Sequence, residues 1–108
     1  METLQDFKAG LFRTLANPVR IRILEALRAA TSLTVGEIQQ AVGAEPSNIS
    51  QHLSIMRANG IVVSRREGTN IWYSVAEPEL YALLDVAREI FERQLEARTR
   101  MLSSNPQE

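Results

Sequence analysis

The sequence predicts a mainly α, α+β fold with elements in the order α-α-α-α-β-β-α. Three observations carry that reading. Apolar residues recur at three- and four-residue spacing in segments before Gly60 and again after Pro78. Helix start and stop residues fall between those segments, at Asn17-Pro18, Thr34, Gly43, Pro46 and Gly60. Between them, residues 61–66 and 70–76 are rich in Val, Ile, Trp and Tyr and flank Glu67-Gly68-Thr69, which predicts a β-hairpin. Two short helices joined by a tight turn and followed by a hairpin make a winged helix-turn-helix, here with an extra helix at each end.

Each element has a local cause. Leu4, Phe7, Leu11 and Leu15 make one face of a helix over residues 3–15. Asn17 is a good N-cap and Pro18 suits the first helical position, so a second helix runs to about Ala29 on Val19, Ile23, Leu24 and Leu27. Thr34 and Glu37 form a capping box for a short helix through Val35, Ile38 and Val42, ended by Gly43. Pro46 opens the fourth helix and Gly60 closes it. Glu77-Pro78 starts the last helix, carrying Leu80, Leu83, Leu84, Ala87, Ile90, Phe91 and Leu95. One winged helix-turn-helix domain over residues 1–102 is expected, with 103–108 a disordered tail.

Composition narrows the function. Apolar content of 44% is ordinary for a globular domain, and no run is long enough to cross a membrane. The first ten residues do not resemble a signal peptide, and with no cysteine the cytoplasm is the expected compartment. The absence of cysteine also excludes disulfides, thiolate metal sites and thiol redox sensing. With a single histidine, no nucleophile-base-acid set can be assembled, so an enzyme is not expected. Net charge is −1, but residues 1–75 hold eight Lys/Arg against six Asp/Glu, while residues 76–108 hold four against seven. The acid is concentrated on the last helix. Since salt confines a charge's field to ~10 Å, the local surplus matters for a phosphate partner.

That surplus surrounds the fourth helix. On a helical wheel Ile49, Leu53 and Met56 lie within about 60° of each other and form a buried edge. Ser47, Gln51, Ser54 and Ala58 lie opposite, flanked by Ser50 and Arg57, with no acid after Glu45. A merely solvated face would be filled with Glu and Lys. Small neutral groups instead allow close approach to base edges, where Gln51 can bond adenine bidentately and serine can donate or accept. Ser47 and Asn48, in the first turn, can offer backbone N–H groups to a phosphate. On the hairpin, Arg65, Arg66, Thr69 and Asn70 suit the phosphate backbone or a narrow minor groove; a charged, soluble edge strand is the plainer reading of the same arginines. Tyr73, with Ile71 and Val75, is expected to pack inward, while Trp72 is either exposed or laid over the wing. His52 borders the buried edge and is expected to be a hydrogen-bonded structural residue. Arg20 is a solvated side chain, an internally paired one or a phosphate contact.

Several segments together resemble the ArsR/SmtB family of bacterial transcriptional repressors. They are Phe12-Arg13-Thr14-Leu15-Ala16-Asn17-Pro18-Val19-Arg20-Ile21-Arg22-Ile23-Leu24, Thr34-Val35-Gly36-Glu37-Ile38, Ser47-Asn48-Ile49-Ser50-Gln51-His52-Leu53, Met56-Arg57-Ala58-Asn59-Gly60-Ile61-Val62, Arg65-Arg66-Glu67-Gly68 and Tyr73-Ser74-Val75. The resemblance covers about residues 10–95. It implies a homodimer joined through the terminal helices, two reading helices presented to a palindromic double-stranded DNA operator, and repression relieved by a chemical signal. Metal-sensing members carry Cys pairs on the helix matching Val35–Ala41, or Asp/His sets on the last helix. This chain has neither, so no metal and no cofactor are expected. Asp85, Glu89, Glu92 and Glu96 do align, but Arg88, Arg93 and Arg100 interleave at pairing spacing, which reads as a salt-bridged solvent face. The signal then comes from an unidentified effector or a partner protein, or the repression is constitutive.

The terminal helices are unusually apolar for peripheral elements. Leu80, Leu84, Ala87, Phe91 and Leu95 make one stripe, and Leu4, Phe7 and Leu11 another. Burying such stripes across a two-fold axis is the expected solution. A winged-helix module that binds proteins rather than DNA is the alternative, favoured by the near-neutral total charge and opposed by the acid-free helix face.

Overall fold

The computed structural model describes residues 1–43 and 45–103. Along them run α1 (Leu4–Leu15), α2 (Pro18–Ala30), β1 (Leu33–Thr34), α3 (Val35–Val42), α4 (Pro46–Ala58), β2 (Val62–Glu67), β3 (Asn70–Val75) and α5 (Leu80–Ser103). The chain divides into two compact units, the first ending at Glu77 and the second beginning at Pro78. The architecture is the expected winged helix-turn-helix, with one strand more than the sequence suggested.

In the first unit, side chains cap the starts of α1, α2 and α3, whereas α4 starts at Pro46 without a side-chain cap. Thr3 and Asp6 form a capping box on α1 that the sequence reading passed over, and its hydrogen bonds hold the Asp6 carboxyl below its usual pKa. Asn17 Oδ1 accepts from the N–H groups of Val19 and Arg20 at the head of α2. Thr34 and Glu37 cap α3 reciprocally, as expected. Helix α4 ends in a Schellman motif. Gly60, at φ 73°, donates to the Arg57 carbonyl, and Ile61 donates to Met56. Ile61 and Met56 are both buried, which turns the chain straight from α4 into the wing.

The core of this unit is Ile23, Leu24 and Leu27 of α2, Ile38 of α3, Ile49, Leu53 and Met56 of α4, and Ile61 and Val62 entering the wing. The sheet is antiparallel in the order β1-β3-β2. Strand β1 was absent from the sequence reading because two residues carry no periodicity. It exists through its pairing, Leu33 with Tyr73 and Thr34 with Trp72. Thr34 therefore caps α3 and pairs with the wing at once. The hairpin closes on Glu67 opposite Asn70, so Glu67 belongs to β2 and the tip is only Gly68-Thr69. Gly68 sits at φ 63° while Thr69 does not take positive φ, the pattern of a type II′ turn. At the end of α2, Thr31 adopts φ 75° and ψ −55°, and Ser32 N–H donates to the Ala30 carbonyl at 2.9 Å. That is a positive-φ γ-turn, a strained conformation for a β-branched residue.

The second unit is α5. The helix begins at Leu80, not at Glu77-Pro78 as the sequence suggested. Tyr81 and Ala82 donate to the carbonyls of Pro78 and Glu79, three-residue bonds that lead into the α-helix from a tighter turn. Arg88 pairs with Glu92 at 3.0 Å and Arg100 with Glu96 at 3.6 Å, as i,i+4 charge spacing allows. Ser103, expected to open the tail, is helical and bonds the Thr99 carbonyl. Residues 104–108, the rest of that expected tail, lie outside the described residues.

Candidate nucleic-acid interface

The burial of Ile49, Leu53 and Met56 fixes which way α4 faces. Three large side chains on one edge hold the helix in a single rotation about its axis, so the opposite edge is committed to solvent. Ser47, Asn48, Ser50, Gln51, Ser54 and Arg57 are all exposed, together with Ala58. The face holds amide, hydroxyl and methyl groups that can reach into a groove about 12 Å wide without charge repulsion.

The wing lies next along the chain and is joined to α4 by a side-chain bond. The Arg57 guanidinium donates to Ser64 Oγ at 3.1 Å, linking the last turn of α4 to β2. The ladder register sets Arg65 opposite Trp72 and Arg66 opposite Ile71. Neighbouring residues on a strand point to opposite faces, so Arg65 and Arg66 leave the wing on opposite sides. Arg65 is ion-paired with Glu67 at 3.3 Å. Both are well exposed, where such a pair is weak and easily exchanged for a phosphate. Arg66 is exposed, as are Thr69 at the tip and Asn70 at the start of β3. Tyr73 and Val75 are half-buried as expected, Ile71 is exposed, and Trp72 is half-buried between Thr34 and Arg65 in the ladder.

Behind α4, the Arg20 guanidinium donates from Nε to His52 Nδ1 at 3.0 Å and from a terminal nitrogen to the Thr14 carbonyl at 3.1 Å. Arg20 is thus internally paired, one of the readings its sequence position allowed. His52 is a structural acceptor. Partial burial, and then the neighbouring Arg20 charge, push its pKa below the ordinary 6.5. The sequence signal for this pair was only the lone histidine beside the apolar edge.

The apolar stripes of the terminal helices divide on inspection. On α1, Leu4 and Phe7 are exposed and Leu11 is half-buried. On α5, Leu80 is buried and Leu84 half-buried in the single chain, whereas Ala87, Phe91 and Leu95 are exposed. Val86, Ile90 and Leu83 add to that exposed apolar surface, and Val86 was overlooked in the sequence. Among the described residues, no three His, Cys, Asp or Glu side chains are grouped to hold a metal ion. With no Cys on α3 and no His on α5, the residues present do not fit the metal sites of the resembling family.

This geometry defines a winged helix-turn-helix DNA-binding protein. Residues 15–65 match the helix-turn-helix domain family. The chain is 45% identical over 102 residues to the HTH-type transcriptional regulator Rv0081 of Mycobacterium tuberculosis, spanning 94% of this chain and 89% of that one. The crystal structure of Rv0081 superimposes with a TM-score of 0.78, covering 92% of this chain and 99% of that structure. A biofilm growth-associated repressor of Xylella fastidiosa is 33% identical over 91 residues, 84% of this chain and 79% of the repressor. The homodimeric winged helix-turn-helix DNA-binding domain of Mb0332 from Mycobacterium bovis, a possible ArsR-family regulator, is 31% identical with a TM-score of 0.75, covering 87% of this chain and 86% of that one. The chain belongs to the ArsR/SmtB-type family of winged helix-turn-helix transcriptional regulators. It is a DNA-binding regulator of transcription and not an enzyme. No helix among the described residues is long and apolar enough to cross a membrane.

Proposed function

We propose that the protein is a homodimeric, cytoplasmic repressor that lays one α4 from each protomer into successive major grooves of an inverted-repeat operator. The observation that carries this reading is the exposed, acid-free edge of α4, held outward by the buried Ile49, Leu53 and Met56. Gln51, Ser47, Ser50 and Ser54 read base edges, and Asn48 and Arg57 border them. Arg65, Arg66, Thr69 and Asn70 on the wing grip the adjoining backbone. Two-fold symmetry sets the half-sites about one helical turn apart, ~34 Å centre to centre. Bound there, the dimer excludes RNA polymerase from the promoter, which accords with the repressor function named for the Xylella relative.

The dimer is supported by the exposed apolar side chains. Leu4 at 61%, Phe7 at 55%, Phe91 at 62% and Leu95 at 47% exposure are large apolar groups that a lone soluble chain rarely leaves in water. Leu11 belongs to the α1 stripe and Leu84 and Ala87 to the α5 stripe, whereas Leu80 is already buried in the single chain. The test is a fluorescence-anisotropy titration of the full chain against the DNA upstream of its own gene, alongside sedimentation at the same concentrations. A dimer that prefers this duplex to a scrambled one of equal length is expected. A stable monomer, or equal affinity for both duplexes at low salt, overturns the reading.

A further inference from the structure

A groove of about 410 Å³ opens on the flank of α4 that faces α1 and the head of α2. Its volume falls in the range of small-molecule sites. Its lining is chemically uneven. Arg13 and Arg20 supply two guanidinium groups, Asn17 and Asn59 supply amides, and Ala16 and Ile55 supply apolar surface. No acidic residue lines it. Arg13 makes no side-chain hydrogen bond or ion pair among the described residues. Arg20 spends only part of its five-donor fork, on His52 and the Thr14 carbonyl, and those two bonds hold the guanidinium in one orientation. An oriented, partly unspent fork beside an unpaired arginine is a preorganised receptor for an oxyanion. Ile55 is 39% exposed, large for an apolar residue on a helix whose other bulky side chains are buried, and gives the ligand's body an apolar wall.

We propose that this groove takes a small organic anion, a carboxylate or phosphate monoester on a compact apolar body, as the effector that weakens operator binding. Ile55 and Asn59 stand within about two turns of Gln51 and Ser54 on the same helix, so the occupant touches the reading helix directly. An oxyanion bound to the unspent donors of Arg20 pulls on the same guanidinium that holds His52 and the Thr14 carbonyl, and so shifts α4 relative to α1 and α2. The occupancy stands on the groove alone, whereas the effector role rests on the operator-binding reading above.

The test is an NMR titration of the full chain, following backbone amides, with benzoate and phenyl phosphate as probes. Benzyl alcohol serves as the uncharged control and inorganic phosphate as the control without an apolar body. Benzoate or phenyl phosphate should give saturable shifts at Arg13, Asn17, Arg20, Ile55 and Asn59, and the tighter of the two identifies the headgroup. Arg13→Gln, an exposed substitution that leaves the core untouched, should weaken that probe at least about fivefold. At saturation the probe should lower operator affinity at least about fivefold in the natural chain and not in Arg13→Gln. The anion site is overturned if neither probe saturates, if benzyl alcohol or inorganic phosphate binds as tightly, or if Arg13→Gln binds the probe unchanged. Arg13→Gln lowering affinity for every duplex equally, with no probe effect, makes the groove a DNA-backbone contact and overturns it too. Saturable shifts in a chain that binds no operator fail the repressor reading and the effector role while upholding the anion site.

Discussion

Arg20 and His52 are joined by a 3.0 Å hydrogen bond in which the guanidinium Nε–H donates to the imidazole Nδ1. Arginine is always a donor, so the bond requires a lone pair on Nδ1 and therefore a neutral histidine carrying its proton on Nε2. The same guanidinium reaches the Thr14 carbonyl. One side chain of α2 thus ties the end of α1 to the middle of α4.

This pair makes stability depend on pH. The His52 pKa is lowered in the folded chain from 6.5, by burial first and by the Arg20 charge second. Between the lowered value and 6.5 the unfolded chain binds more protons, so stability rises with pH across that window. The contribution is complete above 6.5 and is lost as pH falls through the folded value. His52→Gln keeps an acceptor for Arg20 but cannot titrate. Urea unfolding at about pH 7.5 and about pH 5 should show a smaller loss in His52→Gln than in the natural chain. An identical loss in both would mean that other groups govern the acid limb.

Thr31 stores strain at the exit of α2. Its φ of 75° is a conformation that a β-branched residue adopts at a cost of about 1–3 kcal/mol, whereas glycine enters it freely. Glycine also makes the unfolded chain more disordered, which offsets up to about 1 kcal/mol. Thr31→Gly should therefore stabilise the protein by about 1 kcal/mol, read as a higher urea midpoint at unchanged slope. A lower midpoint would show that the threonine side chain contributes more than its backbone loses.

Base reading and backbone gripping should separate by substitution. Gln51→Ala is expected to cost about 1–3 kcal/mol of operator binding and to leave binding to unrelated duplexes nearly intact. Arg66→Ala should weaken binding to all sequences and flatten the salt dependence. Arg65→Ala should do the same less strongly, because Arg65 must first leave Glu67. Titrations at several salt concentrations distinguish these cases. Equal losses for Gln51→Ala on operator and unrelated DNA would remove it from base reading.

Phe91 is the bulkiest of the exposed apolar groups on α5. Phe91→Glu should leave the far-UV helix signal in place while moving the sedimenting species from dimer to monomer. Operator affinity should then fall steeply, since each protomer would bind a half-site alone. A Phe91→Glu protein that still sediments as a dimer would direct attention to Leu4 and Phe7 instead.

Most helix boundaries were legible because they are decided within a few residues. Asn17-Pro18, the Thr34–Glu37 box, Gly43 and Gly60 each satisfy or free backbone groups locally, and the structure keeps them all. The start of α5 was misread for the complementary reason. Pro78 is permitted at a first helical position, but the chain there takes three-residue bonds before the α-helix begins. The outward edge of α4 was legible because Ile49, Leu53 and Met56 mark its opposite. The groove beside it was not, since Arg13 and Arg20 come from one stretch of chain and Ile55 and Asn59 from another far along it.

The sequence by itself determined the order of elements around the hairpin, the helix caps and the face that α4 turns to solvent, because capping and periodicity act over a single turn. The tertiary structure decided the third strand, the Arg20–His52 bridge and the Arg57–Ser64 link. Each of these depends on which backbone or side-chain atoms meet across the fold. Hydrogen bonds a few ångströms long are set by packing and register, and no spacing along the chain encodes them.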